Sequence, residues 1–480
     1  MALSRRIIFG PPGTGKTSYL LTLIRQIDDY ENILFSSFTK KSVREMTERI
    51  KKLTRLKSEH LSNSFRTLHS HCMTLSGIKK TSVLKESDKV ELCELLNLDF
   101  SCYENHLSER VRGQDTANVL FYLYDFIRNS KKSKEEVFEF LAPEISMDTY
   151  NGFVRNYELF KKTKSLVDYT DLLSLYLSVG SKPINKHIFI DEAQDLTTLQ
   201  WDVVEKLSEK CLSLTVAGDD DQAIYAWNGA DLERFVHQQG YREVLNQSYR
   251  LKPAVFCFSR SIITKVHERV PKSFKPLDSD SGGVYEISDL FELPLEKGQW
   301  LLLARNNYFL SLYVNHCLEN GYLYEKDGWY KGKKELRAIR TWIKIVETQA
   351  PCTTSELELL NEYSYHDLTE SKLLKGSWQN ALQKMDIDIF SYYSQCEQNG
   401  EKLYNPARIR IETIHGAKGL EATNVCIMPD MTFSTFQAYE NSTVQERDDE
   451  HRVFYVAATR AKENLFLLAP STRYYYELHS

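Results

Sequence analysis

The sequence predicts an α/β fold with two parallel sheets. Short apolar runs that end in polar residues recur in both halves of the chain, and this pattern is typical of buried parallel strands. A glycine-rich loop joins the first of these runs directly to a helical stretch. Because 480 residues are too many for one hydrophobic core, we expect two domains with insertions.

The predicted strands fall into two sets. The first set comprises 7–9, 33–35, 187–190 and 212–217. The second set comprises 284–287, 300–304, 409–414, 425–428 and 465–469. Ligands of open parallel sheets bind beyond the carboxyl ends of the strands, so we expect the functional residues directly after these runs.

Two segments between the strands have helical patterns rich in Lys, Glu, Leu and Tyr. We predict a first sheet domain, 1–78 and 180–250, which is interrupted by a helical insertion at 79–179. We predict a second sheet domain, 251–345 and 403–480, which is interrupted by a small helical insertion at 346–402.

The composition is that of a soluble globular protein, with 42% hydrophobic and 26% charged residues. No run of eighteen apolar residues occurs, and the first residues lack the apolar region of a secretory signal. We therefore expect a cytoplasmic location. Nine cysteines are scattered without a CxxC pair, which gives no sign of a disulfide framework or a zinc site.

The net charge of -5 means that any binding of nucleic acid must be local. One segment, 40–57, carries eight Lys and Arg residues against two Glu residues. It is either a surface for phosphate groups or a solvated helix face.

The glycine-rich loop satisfies the pattern GxxxxGK[ST] between a strand and a helix. Its glycines let backbone N–H groups converge on phosphates, Lys16 neutralises their charge, and the Thr17 hydroxyl can bind Mg²⁺. The predicted nucleotide-binding residues here are Gly10, Pro11, Pro12, Gly13, Thr14, Gly15, Lys16, Thr17 and Ser18.

Polar residues follow the last two predicted strands of the first set, 187–190 and 212–217. Asp191 could hold Mg²⁺ while Glu192 deprotonates the attacking water, although a surface acidic turn would have the same sequence. In the loop after 212–217, Gln222 could sense the γ-phosphate. Tyr225 and Trp227 in the same loop could stack on bases or belong to the core.

The order of these and further motifs resembles that of the superfamily 1A DNA helicases, the family of UvrD, PcrA and Rep. Residues 35–50 resemble motif Ia and residues 66–70 motif Ib, which grip DNA in the family. Residues 191–195, 218–231 and 245–250 resemble motifs II, III and IV, and residues 301–306, 413–421 and 450–461 resemble motifs IVa, V and VI. The resemblance therefore covers nearly the whole chain.

The resemblance implies two RecA-like P-loop NTPase domains and a motor that hydrolyses Mg²⁺-ATP while it moves 3′ to 5′ on single-stranded DNA. Tyr249 would stack on adenine, Glu421 would bind the ribose, and Arg250 and Arg460 would reach the γ-phosphate. The implied catalytic residues are Lys16, Asp191, Glu192, Gln222, Arg250 and Arg460. The implied DNA contacts are Phe38, Thr39, Thr67, His69, Tyr225, Trp227, Asn228, Thr413, His415 and Lys418.

The sequence also departs from the family pattern. Nine residues precede Gly10, so the upstream glutamine motif that reads adenine is not expected in its usual place. Asn228 stands where arginine is common, and Ser248 where asparagine is common. Because the second insertion is small, three functions stay open: a helicase that opens single-strand/duplex junctions, a translocase that scarcely unwinds, and a nucleotide-gated sensor subunit of a replication, repair or defence complex.

Overall fold

A computed structural model describes residues 3–27, 29–37, 39–53, 58–100, 115–141, 143–181, 183, 185–279, 281–369, 376–441 and 443–478. The chain forms two compact units. Unit 1 comprises Met1–Leu251, Ile263–Leu277 and Asn441–Val453, and unit 2 comprises Lys252–Ile262, Asp278–Glu440 and Phe454–Ser480. The short segments 263–277 and 441–453, which the sequence prediction placed in the second domain, thus belong to unit 1.

Unit 1 contains a parallel sheet of six strands in the order β3-β2-β4-β5-β1-β6. The strands are β1 Ser4–Phe9, β2 Ile33–Ser37, β3 Phe65–Thr67, β4 His187–Asp191, β5 Ser213–Gly218 and β6 Tyr241–Val244. Every residue of β2 is buried, as a central parallel strand covered on both faces requires. The carboxyl ends of β1, β4 and β5 therefore lie along one edge, where the predicted nucleotide-binding residues follow.

Helices surround this sheet and fill the insertion. They are α1 Lys16–Ile27, α2 Lys40–Leu53, α3 Ser58–Ser64, α4 Leu68–Leu75, α5 Glu86–Leu96, α6 Thr116–Ser130, α7 Lys134–Leu141, α8 Met147–Lys164, α9 Tyr169–Val179, α10 Thr198–Ser208 and α11 Leu232–Val236. The insertion has an aromatic core of its own, in which Phe121 meets Phe153 and Tyr157 edge to face.

Unit 2 contains a second parallel sheet of six strands in the order β7-β12-β11-β8-β10-β9. The strands are β7 Gly283–Ile287, β8 Trp300–Ala304, β9 Tyr324–Lys326, β10 Ile409–Thr413, β11 Ala422–Met428 and β12 Ala461–Leu468. The remaining helices are α12 Pro253–Ile263, α13 Leu310–Glu319, α14 Lys333–Thr348, α15 Thr354–Glu362, α16 Trp378–Ala381, α17 Ile387–Gln398, α18 Phe433–Glu440 and α19 Val444–Ala458.

The two sheets confirm the predicted α/β fold class. All nine predicted strands are present, and the short strands β3, β6 and β9 were missed. In the part of the chain that the structure describes, no helix is both long enough and apolar enough to cross a membrane.

Candidate nucleotide and nucleic-acid sites

The glycine-rich loop leaves β1 and turns tightly into α1, which begins at Lys16. Gly13 and Gly15 have φ angles of +73° and +76°, in the left-handed region that favours glycine. A Cβ atom on Gly10 would lie 2.0 Å from Cγ of Lys16, so the lysine folds back over the loop only because Gly10 has no side chain. The free N–H groups at the start of α1 therefore lie beside a lysine, as a phosphate site requires.

The Lys16 ammonium faces the carboxylates that follow the neighbouring strands. Its Nζ lies 3.5 Å from Oε2 of Glu192. Burial lowers the pKa of Lys16, but the carboxylates of Glu192, Asp219, Asp191 and Asp195 outweigh burial and hold the pKa above its ordinary value. Lys16 therefore stays charged at neutral pH.

Asp191 ends β4 and is only 1% exposed. Burial, followed by the charge of Glu192, raises the pKa of Asp191 to about 7. Its Oδ1 accepts a hydrogen bond from the backbone N–H of Glu192, which has a φ of +56°. This left-handed conformation is costly for a residue other than glycine and is typical of functional sites.

The predicted Mg²⁺ ligands are oxygen donors, the carboxylate of Asp191 and the hydroxyl of Thr17. Among the described residues, no group of three or more His, Cys, Asp and Glu side chains could hold a metal ion. A site with one carboxylate and one hydroxyl fits Mg²⁺, which proteins usually bind together with substrate phosphates and water rather than in a complete protein cage.

A hydrogen-bonded network connects Glu192 with Gln222. Nε2 of Gln194 donates to Oε2 of Glu192 at 2.7 Å, and Oε1 of Gln194 accepts from the backbone N–H of Asp219 at 3.0 Å. Nε2 of Gln222 then donates to Oδ2 of Asp219 at 2.6 Å. The sequence prediction missed Gln194, although its place directly behind two carboxylates was a usable signal. Through Gln194, the candidate base and the candidate sensor belong to one network.

The segment that carries Tyr249 and Arg250 is fastened to the same loop. The backbone N–H of Tyr249 donates to the carbonyl of Gly13 at 2.8 Å, and the buried Ser248 hydroxyl donates to the carbonyl of Pro12 at 2.8 Å. A Cβ atom on Gly13 would lie 2.4 Å from Cβ of Arg250. Tyr249 itself is 70% exposed, so its ring is available for stacking.

In unit 2, Glu421 and Arg460 lie close together because they precede paired positions of β11 and β12. Arg460 is 2% exposed, and its Nε donates to the carbonyl of Val456 at 2.9 Å. Glu421 pairs with Lys462 at 2.6 Å. Contacts within unit 2 therefore hold both side chains in place.

Three of the predicted DNA contacts of unit 1 surround one cavity. Thr67, His69 and Asn228 line a cavity of about 240 Å³ at the carboxyl ends of β2 and β3. Burial lowers the pKa of His69 to about 4, so its imidazole is neutral at physiological pH. The ring of His69 meets that of Tyr169 edge to face, with 5.8 Å between centroids.

The opposite wall of the cavity comes from the helical insertion, with Asp125 and Asn129 on α6 and Tyr169 and Thr170 on α9. The sequence prediction missed these residues. Tyr169 follows the N-cap Asp168, so the cap gave a local signal for its place at a helix start. Asp125 and Asn129 gave none, because their spacing is simply that of a helix face.

The other predicted DNA contacts of unit 1 lie outside the cavity lining. Thr39 is exposed at the start of α2, where its hydroxyl accepts from the backbone N–H of Ser42. The rings of Tyr225 and Trp227 lie 5.9 Å apart, both half-buried, and Trp227 packs against the core of the insertion. Phe38 lies outside the described residues.

In unit 2, the predicted DNA contacts follow β10. Thr413 and His415 are buried, and the Thr413 hydroxyl accepts from the backbone N–H of Gly416 at 3.1 Å. Lys418 is half-buried in the same loop. Thr413 thus shapes the loop that presents Lys418.

Comparisons with known proteins identify the family of this chain. Two family models match the chain: the UvrD/REP helicase N-terminal domain over residues 3–240, and the UvrD-like helicase C-terminal domain over residues 408–468. The first match contains the glycine-rich loop, Asp191, Glu192 and Gln222, and the second contains Glu421 and Arg460.

Individual relatives extend this similarity to nearly the whole chain. The ATP-dependent DNA helicase PcrA of Staphylococcus aureus (strain Mu50 / ATCC 700699) is 21% identical, over 97% of this chain and 81% of the relative. The probable DNA helicase II homolog of Mycoplasma genitalium is 23% identical, over 96% of this chain and 82% of the relative. The alignment with PcrA has 604 positions, so that relative contains residues within the matched span that this 480-residue chain lacks.

Proposed function

Because the chain belongs to the UvrD/REP helicase family as a UvrD/PcrA-like superfamily 1A helicase, we propose that it hydrolyses Mg²⁺-ATP while moving 3′ to 5′ on single-stranded DNA. The observation that carries this proposal is the buried network around the glycine-rich loop. The contacts of Lys16, Glu192, Gln194, Asp219 and Gln222 in this network support the proposal. We place this activity in the cytoplasm.

The residues of unit 1 divide the chemistry among them. Lys16 and the N–H groups of the loop bind the β- and γ-phosphates, and Thr17 and Asp191 would hold Mg²⁺. The ion supplies further neutralisation of the phosphate charge. Glu192 acts as the general base, because Gln194 holds its carboxylate in place beside the Lys16 ammonium.

The coupling of hydrolysis to DNA rests on the loop that follows β5. Gln222 and the aromatic residues Tyr225 and Trp227 lie within six residues of one another on this loop. Asn228, next to Trp227, lines the cavity formed with Thr67 and His69. A strand of DNA that binds these residues therefore shifts the same loop that holds the phosphate sensor.

A second candidate is a translocase that scarcely unwinds duplex DNA. It is favoured by the longer alignment with PcrA, which leaves this chain without residues that the relative contains. It is also favoured by the small second insertion, whose described helices are α15, α16 and α17. Such a protein would act beside protein partners of a replication, repair or defence complex.

ATP hydrolysis measured with single-stranded DNA, duplex DNA and RNA tests the proposal directly. We expect stimulation by single-stranded DNA above that by the other two. Movement and strand displacement on partial duplexes with 3′ or 5′ tails then separate the two candidates. Movement without displacement would favour the translocase, whereas ATP-dependent DNA binding without net movement would contradict both and favour a nucleotide-gated sensor.

A further inference from the structure

After helix α12, a short segment of unit 1 contacts the loop that carries Gln222, the proposed γ-phosphate sensor. Helix α12 ends at Ile263, and residues 263–277 belong to unit 1. Arg269, Val270 and Lys272 of this segment contact three consecutive aspartates, Asp219, Asp220 and Asp221, which precede Gln222.

Lys272 lies at the centre of this cluster. Its side chain is 0% exposed, and its Nζ lies 2.8 Å from Asp219, 2.5 Å from Asp220 and 2.9 Å from Asp221. Arg269 pairs with Asp221 on the outer side. The backbone N–H of Val270 donates to Oδ2 of Asp220 at 2.8 Å. Each aspartate is thus held by at least one donor from 263–277.

The charges make Lys272 indispensable to this arrangement. Burial lowers the pKa of Lys272, but the three carboxylates outweigh burial and hold it far above its ordinary value. Burial raises the pKa of Asp219, but the charges of Lys272 and Lys16 outweigh burial and keep the pKa of Asp219 below its ordinary value. Buried charges persist only when they are paired, so Asp219 stays ionised because Lys272 is present.

Asp219 passes this constraint on to Gln222. Its Oδ1 accepts from Lys272, and its Oδ2 accepts from Nε2 of Gln222 at 2.6 Å. Its backbone N–H donates to Gln194, which also holds Glu192. With both carboxylate oxygens fixed, Asp219 sets the direction in which the Gln222 amide points.

We propose that Lys272 is a positioning residue for ATP hydrolysis, which fixes Asp219 and thereby holds the Gln222 amide toward the γ-phosphate. This inference rests on the function proposed above for Gln222. If Lys272 only stabilised the fold, a variant in which the buried charges still balance would keep its activity. A positioning role requires the ammonium group of Lys272 itself.

A charge-balanced variant separates these two roles. Lys272→Met combined with Asp220→Asn removes one positive and one negative charge, while Arg269 continues to pair with Asp221. In the full-length protein with an oligo(dT) strand, we expect a melting temperature near that of the wild type and a KM for ATP within about twofold. We expect kcat to fall by about ten- to a hundredfold, because a misplaced group costs mainly transition-state stabilisation. Asp220→Asn alone is the control and should keep most of the wild-type kcat.

A double-mutant cycle with Gln222→Ala tests whether Lys272 acts through the glutamine. If it does, the balanced pair of substitutions lowers kcat in the wild-type background but not further in the Gln222→Ala background. A wild-type kcat in the balanced variant would overturn the inference. A further loss of kcat when the balanced pair is combined with Gln222→Ala would overturn it as well.

Asp219→Asn provides a second variant should the balanced one not fold. Asparagine has an NH2 group in place of one of the two oxygens that accept from Lys272 and Gln222, so one of these donors would face another donor. We therefore expect the same loss of kcat and the same lack of a further loss with Gln222→Ala. A wild-type kcat for Asp219→Asn would overturn the inference. A wild-type kcat for Gln222→Ala would overturn it as well while leaving DNA-stimulated hydrolysis in place. A wild-type chain without ATP hydrolysis would instead defeat the proposed function itself, and this inference with it.

Discussion

The candidate residues of the first sheet are linked to one another by side-chain hydrogen bonds, whereas backbone carbonyls take part in holding Arg460 in the second sheet. In unit 1, hydrogen bonds run from Glu192 through Gln194 and Asp219 to Gln222. In unit 2, backbone carbonyls hold Arg460, and Lys462 holds Glu421. Both sheets have six parallel strands, so the difference lies in the loops that follow the strands.

This contrast indicates how each unit should respond to mutation. Removing one member of a network disturbs its neighbours, so effects in unit 1 should be large and non-additive. Replacing Arg460 leaves the backbone carbonyls that hold it in place, so the effect should be mainly the loss of the Arg460 side chain itself. The four variants that follow test this difference.

The largest effect is expected for Lys16→Ala. The substitution removes the charge that faces the phosphates and leaves Glu192 and Asp191 without their nearest cation, so DNA-stimulated ATP hydrolysis should fall to background. A colorimetric phosphate assay at saturating oligo(dT) measures it. Lys80→Ala, an exposed lysine of unit 1, is the control. A wild-type rate of ATP hydrolysis by Lys16→Ala would contradict the proposed ATP-driven movement on DNA.

Arg460→Ala should slow hydrolysis by about a thousandfold, the scale on which arginine fingers act. Because the Val456 and Leu420 carbonyls that accept from Arg460 belong to unit 2, we expect the KM for ATP to change little. Arg473→Ala removes an exposed arginine from the same unit and should leave kcat unchanged. A rise in KM that accounts for the whole loss would show that Arg460 acts in ground-state binding instead.

Lys418→Ala should weaken binding of single-stranded DNA several-fold without changing basal hydrolysis. If Lys418 contacts one phosphate, the slope of log affinity against log salt concentration should decrease by about 0.7, the value for a single strand. Fluorescence anisotropy of a labelled oligo(dT) across a salt series measures both quantities. An unchanged slope, equal to that of the exposed control Lys402→Ala, would exclude a phosphate contact.

The smallest effect concerns stability. Burial raises the pKa of Glu412, at the end of β10, to about 8, and the hydrogen-bonded Asp327 adds to the rise. The ordinary value is 4.5, so between pH 4.5 and 8 the unfolded chain releases a proton that the folded chain retains. Stability contributed by this group therefore falls as pH rises through that window.

Glu412→Gln removes this cost. We expect it to stabilise unit 2 by about 1 to 2 kcal/mol at pH 8 and by almost nothing at pH 4.5. Thermal denaturation at the two pH values measures the difference. If Glu412→Gln instead lowers stability at pH 8, contacts of Glu412 other than the proton between it and Asp327 stabilise unit 2.

Most of the central strands were predicted because they contain a run of apolar residues, as Trp300–Ala304 does. The three missed strands, β3, β6 and β9, all lie at sheet edges. An edge strand needs no continuous apolar run, and β6 consists of Tyr-Arg-Glu-Val, with its first two residues exposed. The missing signal was therefore physical, since β3 and β9 have three residues each, of which only one is fully buried.

The candidate sites follow the same rule. The residues of the glycine-rich loop are consecutive in sequence, and so are Asp191 and Glu192. Local sequence patterns alone therefore predicted both groups. Lys272 reaches its aspartates from about fifty residues away, and Asp125 reaches the cavity from the helical insertion. No local pattern distinguishes such residues from ordinary surface charges, and only the folded chain brings them into place.

The return of 263–277 to the first sheet also limits how the protein can be divided. A fragment that ends at Leu251 would contain the whole first sheet, yet it would lack Lys272 and Arg269. Three buried carboxylates would then have lost both of those cations, and such a fragment should be unstable or bind protons in their place. Dissection of the enzyme into single domains should therefore retain residues 263–277, by circular permutation or by a linker that rejoins them to the first sheet.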